Sequence, residues 1–238
     1  MKDDPGSSPA LLGGRAVRPA PAVSDHDMLR IIGRGSYGEV WLARNVMGAY
    51  RAVKLVYRSS FSEERPFNRE FEGIRKFEPI SRVNESQVDI LQVGRDAADG
   101  YFYYVMELAD DQLPGQQIDS DRYEPKTLRS ELRNQGRLPF AECLRIGLAL
   151  TTALEDLHRA GLIHRDIKPS NVIFVNDRPM LADIGLVATE GEECSFVGTE
   201  GYAAPEGPGG KQADIYALGK VLYSMCTLAG PQVPQVAR

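Results

Sequence analysis

Hydrophobic and polar positions alternate along the first half of this chain and then change period. Met28-Leu29-Arg30-Ile31-Ile32 runs into a glycine cluster, and two further extended stretches follow, Glu39-Val40-Trp41-Leu42-Ala43-Arg44 and Arg51-Ala52-Val53-Lys54-Leu55-Val56. Two more strands fit Val88 to Val93 and Tyr101 to Glu107, joined by an Asp99-Gly100 turn suited to a hairpin. Between the third and fourth strands a helix is expected to begin near Pro66, a residue favoured at the first helical position. Beyond Asp110 the character turns helical. Leu144, Leu148, Thr151, Leu154 and Leu157 recur at helical spacing within 138–160 and predict a long buried helix, and a last apolar helix is expected from about Asp214 to Leu228. The pattern predicts an α+β chain, with a small β-rich lobe carrying one helix followed by a larger, mainly helical lobe.

The ends read differently. Residues 1–24 carry Pro5, Pro9, Pro19 and Pro21 amid Gly, Ser and Ala, too little apolar surface to offset the entropy of ordering, so a flexible tail is expected there. Residues 229–238 read as a second irregular tail, leaving 25–109 and 110–228 for the two lobes. A length of 238 residues, 42% of them hydrophobic, suits two small lobes with a real core. The net charge of −5 gives no basic field for nucleic acid or an anionic membrane. No stretch approaches the roughly 18 to 20 apolar residues of a membrane span, and Met1-Lys2-Asp3-Asp4 lacks the order of a signal peptide. Cys143, Cys194 and Cys226 are far apart and form no C-x-x-C pair, so reduced thiols in a cytoplasmic protein are expected.

Candidate chemistry concentrates in His164-Arg165-Asp166-Ile167-Lys168-Pro169-Ser170-Asn171, which sets a carboxylate, an ammonium and a carboxamide within six positions. Asp183-Ile184-Gly185 follows with a second carboxylate. Together they supply what phosphoryl transfer needs: a group to orient a hydroxyl, a cation beside the moving phosphoryl, and oxygen ligands for magnesium. Upstream, Gly33-Arg34-Gly35-Ser36-Tyr37-Gly38-Glu39-Val40 is a glycine loop whose backbone can approach phosphates closely. The spacing also occurs in dinucleotide-binding folds, but there it opens a helix, whereas here a strand continues. Strand alternation aims Ala52 and Lys54 at one face. Helical periodicity places Phe67, Glu70, Ile74 and Phe77 together and turns Glu72 away, which favours Glu70 as the acidic partner of Lys54.

These motifs resemble the protein kinase family, and specifically a serine/threonine kinase catalytic domain of bacterial type, over about residues 28–228. The resemblance implies a two-lobed fold that binds ATP and Mg2+ and transfers the γ-phosphate to Ser or Thr hydroxyls of a protein substrate. It assigns Asp166, Lys168 and Asn171 to catalysis, with Asn171 and Asp183 as metal ligands. It assigns Gly33, Gly35, Gly38, Val40, Ala52, Lys54 and Glu70 to the nucleotide, together with Met106 at the back of the adenine pocket, the Glu107 carbonyl and the Ala109 amide. Asp110 or Asp111 is placed to reach the ribose. His164 is expected to pack in the core, Thr199 to sit beside Asp166, and Asp214 to brace the catalytic loop. Residues from Asp183 to Ala204-Pro205-Glu206 resemble an activation segment, with Ser195 and Thr189 as candidate phosphosites that Arg165 would bind.

Two departures stand out. Isoleucine replaces the usual phenylalanine in Asp183-Ile184-Gly185, and the chain ends soon after the helix from Asp214, so the helical lobe is expected to be truncated and to lack its last helices. The alternative function is therefore a catalytically impaired kinase-like nucleotide-binding or interaction module. A small-molecule phosphotransferase fits less well, because Lys168 and Ala204-Pro205-Glu206 suit protein substrates.

Overall fold

The computed structural model of the chain describes residues 20–35, 37–113, 115, 118–183, 188–189, 199–207 and 210–227. Its first half is a five-stranded antiparallel sheet in the order β1-β2-β3-β5-β4, formed by β1 (His26–Arg34), β2 (Gly38–Asn45), β3 (Tyr50–Tyr57), β4 (Ile90–Asp96) and β5 (Tyr101–Met106). Gly100, with φ of 68°, makes the β4–β5 turn in a conformation that L side chains resist. Gly38 is obligatory for a different reason, since a Cβ there would lie 1.7 Å from the Leu55 carbonyl oxygen of β3.

Two of the predicted boundaries move. Val88 is buried but lies outside β4, because its N–H bonds to the Leu181 carbonyl at 3.3 Å rather than to β5. The expected tail also ends early. Val23 is buried against Ala43, Val53 and Leu55, and the Tyr101 hydroxyl donates to the Ala22 carbonyl at 2.8 Å, so these residues pack onto the sheet. Residues 1–19 and 228–238 lie outside the described residues.

The helix α1 (Glu64–Ser81) crosses the sheet between β3 and β4, starting two residues before Pro66, which sits in its first turn. Phe67, Glu70, Gly73, Ile74 and Phe77 form its buried face, as the helical period predicts. Phe67, Ile74 and Phe77 of this face join Ala52, Val56, Phe102, Tyr104 and Met106 in the core. Glu72 points to solvent and pairs with Arg75 of its own helix at 2.9 Å.

Helix does not begin directly beyond Asp110, as expected from the sequence. Residues 110–127 are irregular where described, and α2 (Leu128–Gln135) opens only at Thr127, whose hydroxyl accepts the Ser130 N–H while the Ser130 hydroxyl accepts the Thr127 N–H. Then come α3 (Phe140–Arg159), β6 (Leu162–Ile163), β7 (Val172–Val175), β8 (Arg178–Leu181), β9 (Ala188–Thr189) and α4 (Lys211–Cys226). The predicted buried stripe of α3 is out of phase. Leu154 and Leu157 are buried, but Leu144 and Leu148 are 52% and 62% exposed. The face packed inward is Cys143, Ile146, Gly147, Leu150, Ala153, Leu154 and Leu157, and Leu144 and Leu148 sit one residue, or about 100°, past Cys143 and Gly147. Cys143 and Cys226 are free thiols.

Phe77 of α1 is fully buried in the hydrophobic core. Replacing it with alanine leaves a cavity that cannot fully collapse, and Phe77→Ala is expected to lower unfolding free energy by about 3–5 kcal/mol in urea titrations monitored by circular dichroism.

Candidate active site

Strand β6 delivers the chain into a loop whose conformation is fixed from α4. Asp214, in the first turn of α4 and 1% exposed, accepts the backbone N–H groups of His164 at 2.8 Å and Arg165 at 2.7 Å. Its carboxylate also bonds His158 Nε2 on α3 at 2.8 Å. This holds Arg165 in a left-handed conformation (φ 68°) and turns the next residue, Asp166, into the cleft. His164 is fully buried, with Nε2 3.2 Å from the Ala182 carbonyl oxygen, and packs in the core as expected.

Around Asp166 three side chains close a compact network. Lys168 Nζ donates to Asp166 Oδ2 at 2.7 Å and to Thr199 Oγ1 at 2.9 Å, and the Thr199 hydroxyl donates to Asp166 Oδ1 at 2.8 Å. Asn171 Nδ2 donates to the Asp166 carbonyl at 2.8 Å and to Oδ2 at 3.0 Å. The turn Pro169–Asn171 that carries Asn171 is closed by the Asn171 N–H to the Lys168 carbonyl at 2.9 Å. An ammonium, a hydroxyl and an amide thus converge on one carboxylate that still faces open space.

A second charged cluster lies behind it. Lys54 on β3 forms an ion pair with Asp183, not with Glu70. Burial acts to depress the Lys54 ammonium, but the Asp183 carboxylate together with Tyr104 and Glu70 outweighs it and raises the lysine above its usual range. Desolvation likewise opposes ionisation of Asp183, and Lys54 together with His164 and Lys168 more than compensates, so the aspartate titrates below its ordinary value. Glu70 stays buried beside this pair with no hydrogen-bond partner for either carboxylate oxygen, and burial pushes its carboxyl up to about 8 against the pull of Lys54. Tyr104, paired in register with Lys54 across β3 and β5, buries its hydroxyl in the same cluster, and that burial raises the phenol.

One cleft of about 630 Å3 joins these groups. Gly33, Gly35, Val40, Ala52, Lys54, Met106, Glu107, Ala109, Asp166, Lys168, Asn171 and Asp183 all line it. Gly38 instead seats β2 against β3, and Glu70 stands behind Lys54. The two candidate ribose carboxylates are committed elsewhere. Asp110 accepts the N–H groups of Asn176 and Asp177 at 2.8 and 2.7 Å, and Asp111 Oδ1 accepts those of Leu113 and Glu124 at 3.2 Å each. Tyr123, Thr127 and Arg129 line the cleft without having been singled out from the sequence, because nothing in its periodicity folds that loop back onto the hinge. Ile184, Gly185, Ser195 and Gly198 lie outside the described residues, and Thr189 is described only by its backbone pairing with Leu162.

Because Glu70 titrates near 8 in the folded chain and near 4.5 when unfolded, the folded state binds the extra proton between those values. Stability therefore falls as pH rises through that window. The nucleotide- and magnesium-free protein is expected to lose melting temperature from pH 4.5 to about 8, and Glu70→Gln to flatten the slope; equal slopes in calorimetric scans would contradict this.

The family model described as "Protein kinase domain" matches residues 26–234. The chain is 30% identical over 223 residues, 88% of its length, to the probable serine/threonine-protein kinase zyg-1 of Caenorhabditis elegans, and covers 28% of that protein. It is 29% identical to a probable serine/threonine-protein kinase of Clostridium perfringens, covering 85% of this chain and 28% of that one. It is also 29% identical to the probable kinase PknB of Bifidobacterium longum, covering 92% of this chain and 31% of that protein. The chain thus spans 28–31% of the length of these relatives. Among the described residues, no helix is long and apolar enough to cross a membrane.

Proposed function

As the chain belongs to the protein kinase family, we propose that it transfers the γ-phosphate of ATP to Ser or Thr hydroxyls of a protein substrate, with magnesium. The observation that carries this reading is the Asp166–Lys168–Thr199 triangle at the open end of the cleft. Asp166 orients an incoming hydroxyl and receives its proton as the oxygen attacks. Lys168, already 2.7 Å from Asp166, places its ammonium where negative charge develops on the transferred group. Thr199 fixes the Asp166 carboxylate by occupying Oδ1.

The residues present fit a magnesium ion. Asn171 gives its Nδ2 to Asp166, its amide oxygen accepts only a long 3.4 Å bond from the Ser170 hydroxyl, and Asp183 keeps a side chain 39% exposed at the cleft wall, so both would offer the hard oxygen donors the ion prefers. Bound there, the ion would neutralise charge on the nucleotide phosphates. Lys54 would hold the nucleotide phosphates, and the buried Glu70 carboxyl beside it would serve as its second acidic partner.

Arg165 beside Asp166 is the proposed receiver for a phosphate on Ser195 or Thr189, since a guanidinium pairs bidentately with that group. Finding no phosphate on the 183–206 segment by mass spectrometry, with full activity in Ser195→Ala, would remove Ser195 from this role.

Incubation with labelled Mg-ATP and a generic basic protein tests the main reading, and phosphate is expected on Ser or Thr of the substrate. Asp166→Asn is expected to lower kcat by about 10^2- to 10^4-fold while nucleotide binding persists. Nucleotide binding by the native chain with no transfer to any protein would leave the binding-module reading in its place.

A further inference from the structure

The chain makes an excursion between the hinge and α2 that a direct connection of the two lobes does not require. Its neck is closed by the Lys126 N–H to the Asp110 carbonyl at 2.7 Å, with a second rung from Gln112 N–H to Glu124 O at 2.9 Å. The neck is fastened to the β7–β8 hairpin: Asp110 N–H donates to Phe174 O at 2.7 Å and Phe174 N–H to Lys126 O at 3.1 Å. Lys126 Nζ also pairs with Asp177 at 2.9 Å and lies 5.0 Å from the Phe174 ring centre.

From this anchor on the helical lobe, the excursion reaches back to the sheet. Arg30 of β1 donates from Nε to the Ser120 carbonyl at 2.6 Å and from Nη2 to the Tyr123 carbonyl. Tyr123 itself is 1% exposed, and its hydroxyl donates to the Ala109 carbonyl at 3.0 Å. Its ring therefore stands in the cleft wall beside the hinge, held from β1 on one side and from the hinge on the other. Burial and the carboxylates of Asp111 and Asp110 raise the phenol, so it remains a donor at working pH.

We propose that Tyr123, locked by the Arg30 fork, is a nucleotide-positioning residue that ties the two lobes together beside the hinge and holds the Ala109 peptide for the adenine. The proposal rests on the reading of this cleft as the ATP site. The hinge and the bonds of Ser86 and Val88 to Leu181 already join the lobes. A further tie at the hinge edge of the cleft raises the fraction of molecules in the closed, binding-competent arrangement, and apparent affinity scales with that fraction. Arginine is required rather than a generic cation, because two carbonyls are served by one planar fork.

The test compares native protein, Arg30→Ala, Arg30→Lys and Tyr123→Phe in binding and release of a fluorescent ATP analogue, in steady-state kinetics and in melting temperature. Tyr123→Phe, which removes one hydrogen bond, is expected to raise the KM for ATP and the release rate by about three- to tenfold, and Arg30→Ala, which removes two, by at least as much, with kcat at saturating ATP within about twofold in both. Arg30→Lys is expected to recover only part of the loss. Unchanged ATP KM and release rate in folded Tyr123→Phe would overturn the proposal, as would a fall in kcat and melting temperature with ATP KM unmoved. If Arg30→Ala fails to fold, Tyr123→Phe, which keeps the ring, decides the matter. Failure of the native protein to bind the analogue would instead overturn the reading of the cleft, and this proposal with it.

Discussion

The buried carboxylate of Asp214 is the constraint on which the active end of this molecule depends. A carboxylate taken out of water must be compensated by donors, and here two backbone N–H groups and an imidazole supply them. The compensation works in both directions. Asp214 is satisfied only if the chain at His164 and Arg165 turns so that two successive N–H groups face it, and that turn puts Arg165 at positive φ. The left-handed conformation costs of order 1 kcal/mol or more in a non-glycine residue, and the charge-assisted bonds offset it. Asp166 points into the cleft as a consequence, so a residue 48 positions downstream in α4 aims the carboxylate proposed to be catalytic.

The sheet side of the cleft holds a less settled balance. Lys54 has two acidic neighbours and can pair closely with one. In this arrangement it takes Asp183, leaving Glu70 buried and without a hydrogen bond. A buried ionised carboxylate without a partner is strongly unfavourable, and the rise of its carboxyl to about 8 means that Glu70 avoids the cost by holding a proton. The cluster therefore stores a choice: a lysine committed to one carboxylate, and a second acid kept neutral in reserve. Groups that draw Asp183 outward favour ionisation of Glu70 and the Lys54–Glu70 pair.

Much of this was legible in the sequence wherever one local rule decided the outcome. Period-two alternation put Ala52 and Lys54 on the cleft face, and the 3.6-residue period separated buried Glu70 from exposed Glu72 on α1. The short spacing from Asp166 to Asn171 left little freedom, so the residues meet within hydrogen-bond distance. Features set by long-range partners were not legible. Leu144 and Leu148 share the helical period with the true core of α3 but sit about 100° out of phase, and only the packing of neighbouring elements fixes phase. Asp110 looked like a ribose ligand because it follows the hinge, yet the orphan N–H groups of Asn176 and Asp177, both at positive φ, claim it. Val88 reads as strand but finds its partner in Leu181, 93 residues away.

The β7–β8 hairpin turns these separate assignments into one geometry. It begins immediately after Asn171 and ends two residues before Asp183, so both proposed metal ligands are mounted on its two ends, and the Ala182 N–H bonds the Asn171 carbonyl at 2.8 Å to close that base. Its middle, at Phe174, bonds the hinge through Asp110, while Leu181 bonds Ser86 and Val88 from the segment between α1 and β4. A hairpin of two four-residue strands thus touches the hinge, the proposed metal donors and the approach to the sheet lobe at once. Hairpins of this length are marginal alone, so its rigidity must come from those attachments. The distance from the adenine end of the cleft to the catalytic loop is consequently set by a unit that has no independent stability, and any contact that stiffens the hinge side of the hairpin also stiffens the placement of Asn171 and Asp183.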